Sequence, residues 1–204
     1  MELRERGPAA TVESIVGQAD RITGLIEQLL HFGRAHDQPL APVAVPVPLW
    51  QAVHLVTPRF RHEGMTPIVE VPDDLPLVWG VANQLEQVFL NVLVNSWHAL
   101  PAGGTIAIEA DVPDDRYVRI TVRDTGVGMS AEDLARAFEP FYSTKGEQGS
   151  GLGLAMCRQL IKHHGGTICL DSTPGAGTTV TMVLVQADAV NEGERMPAPP
   201  RTRN

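Results

Sequence analysis

No apolar run in this 204-residue chain approaches the ~18–20 residues that a membrane-spanning helix needs. The opening "MELRERGPAA" also lacks the apolar core of a secretory signal. A cytoplasmic location is therefore expected. Cysteine is scarce: Cys157 and Cys169 are the only two, and they form no CxxC pair and no metal-ligand spacing. Free thiols in a reducing compartment are the simple reading. Basic charge is also short. A net charge of −8 argues against the broad positive surface that non-specific nucleic-acid binding requires. Internal repeats are missing. What is left, 43% apolar and 20% charged, is the composition of an ordinary globular protein long enough for a real core.

Residues 1–10 show no pattern and are expected to be disordered. Over 11–36 the pattern is helical. Ile15, Ala19, Ile22, Ile26, Leu29 and Gly33 alternate spacings of four and three, a heptad seam. Val16, Leu25 and Leu30 add a second apolar stripe. A stripe that wide suits a helix packed on two neighbours, as in a bundle, so dimerisation or a partner helix is expected. Packing of this helix on the following domain is the alternative. The stretch "QPLAPVAVPVPLW" then carries Pro39, Pro42, Pro46 and Pro48. That density reads as a linker or edge strand and not as helix, which places a linker at 37–47.

From 48 to 186 the signals are mixed. Residues 49–61 are compatible with a helix, and "TPIVEV" is strand-like. "NQLEQVFLNVLVNSWHAL" is strongly helical. "GTIAIEADV" and "RYVRITVRD" alternate as paired strands do. "SAEDLARAFE" reads as a short helix capped by Ser130. "GLGLAMCRQLIKHHG" reads as a helix ending at Gly165, and "GTICLDST" and "GTTVTMVLV" read as two further strands. Helices on one face of a mostly antiparallel sheet make an α+β two-layer sandwich. The polar, proline-containing tail over 187–204 is expected to be disordered.

Four short stretches carry chemistry. Asn91 and Asn95, four apart on one helix, share a face. Their amide oxygens are hard, neutral ligands suited to Mg²⁺ that also carries phosphates, although paired Asn on a helix are more often solvated. Asp124-Thr-Gly-Val-Gly128 follows a strand. A carboxylate there can accept from an exocyclic amine, and the glycines allow a flat ring to approach; a plain tight turn is the bland alternative. In "FEPFYSTK", Phe138 and Phe141 are expected to anchor a flexible segment by burying their rings. Ser143, Thr144 and Lys145 then become phosphate donors. Finally, Gly149-Ser-Gly151-Leu-Gly153 opens a helix, where amides and dipole favour phosphate. It is neither a Walker loop nor a dinucleotide fingerprint.

In this order and spacing, the four stretches resemble the N, first G, F and second G boxes of the ATP-binding domain of sensor histidine kinases. That domain belongs to the wider superfamily shared with gyrase B, Hsp90 and MutL. The resemblance runs from about residue 48 to 186. "VGQADRITGLIEQLLHFGR" is in turn similar to the second helix of that family's dimerisation and phosphotransfer hairpin.

The resemblance implies a Bergerat-type fold, the cofactors ATP and Mg²⁺, and roles for particular residues. Asn95 would be the main Mg²⁺ ligand, with Asn91 beside it. Asp124 would accept from the adenine amine, with Gly126 and Gly128 shaping that pocket. Residues 142–150 would form the ATP lid, Tyr142, Ser143 and Thr144 contributing and Lys145 near the phosphates. Gly149, Gly151, Leu152 and Gly153 would line the phosphate end, and Thr179 would complete the pocket. His98 stands where the family often has a basic residue, and a surface histidine is the equal alternative. Val81 stands where the family often has Asp. The superfamily's ATPases usually carry Glu at the first N-box position. Asn91 offers no basic lone pair there, which favours phosphotransfer to histidine over hydrolysis.

"RHEGMTP", residues 61–67, imitates a phospho-acceptor box. However, Gly64 and Pro67 are hostile to a helix interior, so His62 is expected on a loop. His31 and His36 also lack a proper box. The acceptor and the first hairpin helix are thus expected elsewhere, the chain being either a fragment or half of a split kinase. A response regulator, an acceptor hairpin in cis or in trans, and a homodimer through the N-terminal helix are the implied partners. An ATPase and a nucleotide-binding module without turnover are the rival functions.

Overall fold

The computed structural model describes residues 38–187, apart from 63, 102 and 146–148. The expected helix over 11–36 and both expected disordered ends lie outside these, except for Ala187. No helix among the described residues is long and apolar enough to cross a membrane.

The chain runs β1 (Ala41–Val43), α1 (Pro46–His62), β2 (Ile68–Glu70), β3 (Val78–Gly80), α2 (Ala82–Ala99), β4 (Ile106–Asp114), β5 (Tyr117–Asp124), α3 (Ala131–Arg136), α4 (Gly153–His163), β6 (Thr167–Thr173) and β7 (Gly177–Val185). Five strands form one sheet in the order β2-β4-β5-β7-β6, and β1 pairs with β3 in a separate two-stranded ribbon. Only β2 and β4 run parallel; the other neighbours are antiparallel. The architecture is the expected α+β sandwich. Val118, Ile120 and Val122 of β5 and Val180, Met182 and Leu184 of β7 are buried in alternation, as period-two strands covered on one face require. Leu85, Val88, Phe89, Val92 and Leu93 of α2 are likewise buried. So are Met156, Cys157, Leu160 and Ile161 of α4.

Two expectations need correction here. The proline-rich stretch is not free of helix, because α1 begins at Pro46 and holds Pro46 and Pro48 buried in its first turn. Prolines are tolerated there because first-turn N–H groups have no intrahelical partner to lose. The edge-strand half of that expectation survives as β1. Second, His62 is the last residue of α1 and not part of a loop; Gly64, at φ 73°, comes just after it. The ribbon strand β3 was not anticipated.

Two helix ends place the functional residues. Val81 caps α2 without a side-chain bond, while its N–H donates to His164 Nε2 at 3.3 Å. His164 follows α4 and is fully buried, so the two helices are tied where α2 starts. Ser130 caps α3 as expected, its Oγ accepting from the Asp133 N–H at 3.1 Å.

Candidate functional site

Strand β5 ends in a buried carboxylate. Asp124 keeps only 3% of its surface in solvent. It continues the inward positions of Val118, Ile120 and Val122, so the same alternation that builds the core aims it at the helix layer. Its Oδ1 accepts from the N–H groups of Gly126 at 2.9 Å and Thr178 at 3.1 Å. No described residue donates to Oδ2. Oδ2 is not one of the sealed, unpaired side-chain atoms of the described residues, so it is open to an incoming donor. The exocyclic amine of a purine is such a donor.

The turn after Asp124 is built against its neighbours. The Val127 N–H donates to Ala99 O at 2.9 Å, fastening the turn to the end of α2. Gly128 has φ 67°, and a Cβ there would lie 2.0 Å from Thr173 O. Only glycine fits that position. Gly126 is similarly packed against Ala99.

Asn91 and Asn95 lie on the half-buried side of α2, opposite Val92 and Leu93. Asn91 Oδ1 accepts from Gln87 Nε2 at 3.4 Å. Its Nδ2 is buried without a partner. A half-turn of the amide exchanges the two atoms, so the position can present either a donor or a carbonyl. Beside it lies the Cys157 thiol of α4, whose pKa burial pushes up to about 12, against a smaller opposing pull from the Asn91 amide. That thiol is inert by its surroundings and joins α4 to α2 through Val88 O at 3.7 Å. Gly153, the first residue of α4, faces both amides; a Cβ there would still be 3.6 Å from Asn95 Nδ2 and 3.9 Å from Asn91 Cγ. A side chain at that position would therefore touch the amides, and glycine leaves them uncovered on that side.

The segment between α3 and α4 is anchored at both ends. Tyr142 donates its hydroxyl to Asp133 Oδ1 at 2.6 Å, and the Arg136 guanidinium lies 4.0 Å from the centre of its ring. Phe141 N–H donates to Gly151 O at 3.0 Å, closing the segment on itself. Gly151, at φ 65°, packs so tightly that a Cβ would come 2.4 Å from Phe141 C. Within the segment, Ser143 Oγ accepts from the Lys145 N–H at 3.1 Å, and Gly149 packs against Ser143. Lys145 Nζ donates to Asn95 Oδ1 at 3.3 Å. Much of Lys145 stays in solvent, yet the protein around its ammonium lowers its pKa by desolvation.

The structure therefore brings Asn91, Asn95, Lys145 and Gly153 together, and separately Asp124, Gly126, Gly128 and the Thr178 N–H. Ser143, Gly149, Gly151 and the buried Leu152 line the segment leading into α4. Thr144 is exposed at that segment's surface. Tyr142 spends its ring and hydroxyl on α3. His98 is exposed, its ring 4.6 Å from that of Trp97. Thr179 pairs with Arg123, one step from the Asp124–Thr178 pair. Strand alternation therefore turns it to the face opposite Asp124. Thr178 was missed, although the register of two antiparallel strands would have pointed to it. Phe141 does not bury its ring as expected. It is 71% exposed at φ 68°, since the chain must turn sharply there to meet Gly151.

Asn95 Oδ1 already holds a cationic group, the Lys145 ammonium, so its position suits a cation. With the Asp124 oxygen that takes no hydrogen bond from a described residue and the amides left uncovered by Gly153, the residues present fit Mg²⁺ and a purine nucleotide.

Comparison with known proteins gives the family. A family model described as "Histidine kinase-, DNA gyrase B-, and HSP90-like ATPase" matches residues 80–188. Sporulation kinase E of Bacillus subtilis is 40% identical over 57% of the chain. The sensor histidine kinase ZraS of Klebsiella oxytoca is 31% identical over 82%. The chain spans 16% and 36% of these relatives' lengths, respectively. Among solved structures, full-length ShkA in complex with AMPPNP superposes with a TM-score of 0.75 and 29% identity, covering 88% of this chain and 39% of that one.

Proposed function

We propose, from the premise that this chain belongs to the histidine kinase-, DNA gyrase B- and HSP90-like ATPase family, that it binds Mg-ATP and passes the γ-phosphoryl group to a histidine on a separate segment or subunit. The observation that carries this reading is the buried Asp124 carboxylate at the end of β5, whose Oδ2 takes no hydrogen bond from a described residue, in a fold that also gathers Asn91, Asn95, Lys145 and Gly153. Asp124 Oδ2 accepts from the adenine amine, while Gly126 and Gly128 keep the floor flat. Asn95, with Asn91 beside it, holds the metal, which when bound neutralises phosphate charge. Lys145, Ser143 and the N-terminus of α4 at Gly153 hold the phosphates.

Phosphoryl transfer of this kind needs positioning and charge neutralisation more than a catalytic base. Asn91 supplies no base for activating water, which supports transfer over hydrolysis. The acceptor is a histidine of a helical hairpin supplied in cis or in trans. His62, at the very end of α1, lacks the mid-helix setting of an acceptor. A receiver domain of a response regulator follows downstream, the parent protein dimerises through its N-terminal segment, and the reaction takes place in the cytoplasm.

Calorimetric titration tests the metal assignment. ATP is expected to bind more tightly with Mg²⁺ than with EDTA. Asn95→Ala is expected to remove most of that difference while leaving the fold intact, since Ala costs no helix propensity. If the variant keeps the full Mg²⁺ dependence, Asn95 is not the ligand.

A further inference from the structure

We propose that Lys145 is a resident cation on Asn95, holding, when no metal is bound, the amide oxygen that Mg²⁺ takes with the nucleotide. This rests on the reading of the site as one for Mg-ATP. The contact spans 50 residues of sequence, Lys145 Nζ donating to Asn95 Oδ1 at 3.3 Å. It is directed by the backbone, because the Lys145 N–H is fixed on Ser143 Oγ and Gly149 packs against the Lys145 stem, a Cβ at Gly149 falling 3.2 Å from Lys145 Cβ. The chain has 24 acidic residues against 16 lysines and arginines. Even so, no described carboxylate pairs with Lys145; its ammonium is given to a neutral amide instead.

An ammonium and Mg²⁺ cannot share that oxygen. The metal requires the amide at about 2.0–2.1 Å, and two cations so close repel each other. Any free energy gained by one occupant is therefore lost to the other, a reciprocal linkage. A single hydrogen bond to an amide is weak enough to exchange, and an exposed lysine can leave without disturbing the core. Once displaced, Lys145 is free to serve the phosphates. One side chain thereby serves the site in its empty and its filled state.

The test compares ATP affinity with Mg²⁺ and with EDTA in the whole chain and in Lys145→Met, which keeps the length of the stem and removes the charge. Competition discounts the benefit of Mg²⁺ in the wild type. The Mg²⁺-to-EDTA affinity ratio is therefore expected to rise roughly twofold to tenfold in the variant, the range of one hydrogen bond. In an Asn95→Ala background the same substitution should leave the ratio unchanged. A ratio that stays constant while affinity falls equally under both conditions would make Lys145 a phosphate ligand alone and overturn the proposal. So would a rise that persists without Asn95. A wild-type chain that binds no ATP under either condition would instead overturn the underlying reading of the site.

Discussion

Asp124→Asn is expected to weaken ATP binding about 10- to 150-fold, the equivalent of one charge-assisted hydrogen bond of roughly 1.5–3 kcal/mol. Asn is chosen because Asp124 serves two purposes. Its Oδ1 accepts from the Gly126 and Thr178 N–H groups; Ala would leave both buried donors unpaired, at about 1–3 kcal/mol each. Asn keeps a carbonyl for them. It also places an NH₂ where Oδ2 stood, opposite the donor of the adenine amine, so the loss falls on nucleotide binding and spares the turn. Calorimetry measures it, with a thermal melt as the control. A loss below about twofold, with the melt unchanged, would move the base to another part of the molecule.

Acid should destabilise the domain through His164. Burial, with a smaller contribution from His163, lowers its pKa to about 4. The buried ring takes a hydrogen bond from Val81 N–H on Nε2, while its Nδ1 has no partner. The unfolded chain takes up a proton near pH 6.5, and the folded chain resists until about 4. Stability contributed by the neutral ring is therefore full above pH 6.5 and is lost as pH falls toward 4. Between pH 7.5 and 5 this amounts to about 2 kcal/mol. His164→Gln retains an acceptor for Val81 but cannot titrate. Urea unfolding at the two pH values should show the loss in wild type and a loss smaller by about that amount in the variant. Equal losses would remove His164 as the cause.

The sequence made local chemistry legible and left geometry that depends on two distant segments hidden. Asn91 and Asn95 could be placed on one face because helix spacing alone determines it, and Asp124 because a strand pattern led straight into it. Ser130 was readable as a cap for the same local reason. Thr178 was not, since its role comes from lying opposite Asp124 across two strands. The contact between Lys145 and Asn95 was equally out of reach, as it joins segments far apart in sequence. Phe141 misled because large apolar rings are usually buried; the backbone there answers to the crossing with Gly151. Pro46 and Pro48 misled because proline density was weighed without asking whether the prolines fell in a first turn.

The most direct test of the account is incubation of the chain with γ-labelled ATP and Mg²⁺, alone and with a separately supplied hairpin bearing a mid-helix histidine followed by an acidic residue. The account predicts no label on the chain alone and acid-labile label on the hairpin, lost when the hairpin histidine is replaced. Release of free phosphate with no labelled hairpin would contradict it in favour of an ATPase. Acid-labile label on the chain alone, abolished by His62→Gln, would contradict it by making "RHEGMTP" the acceptor.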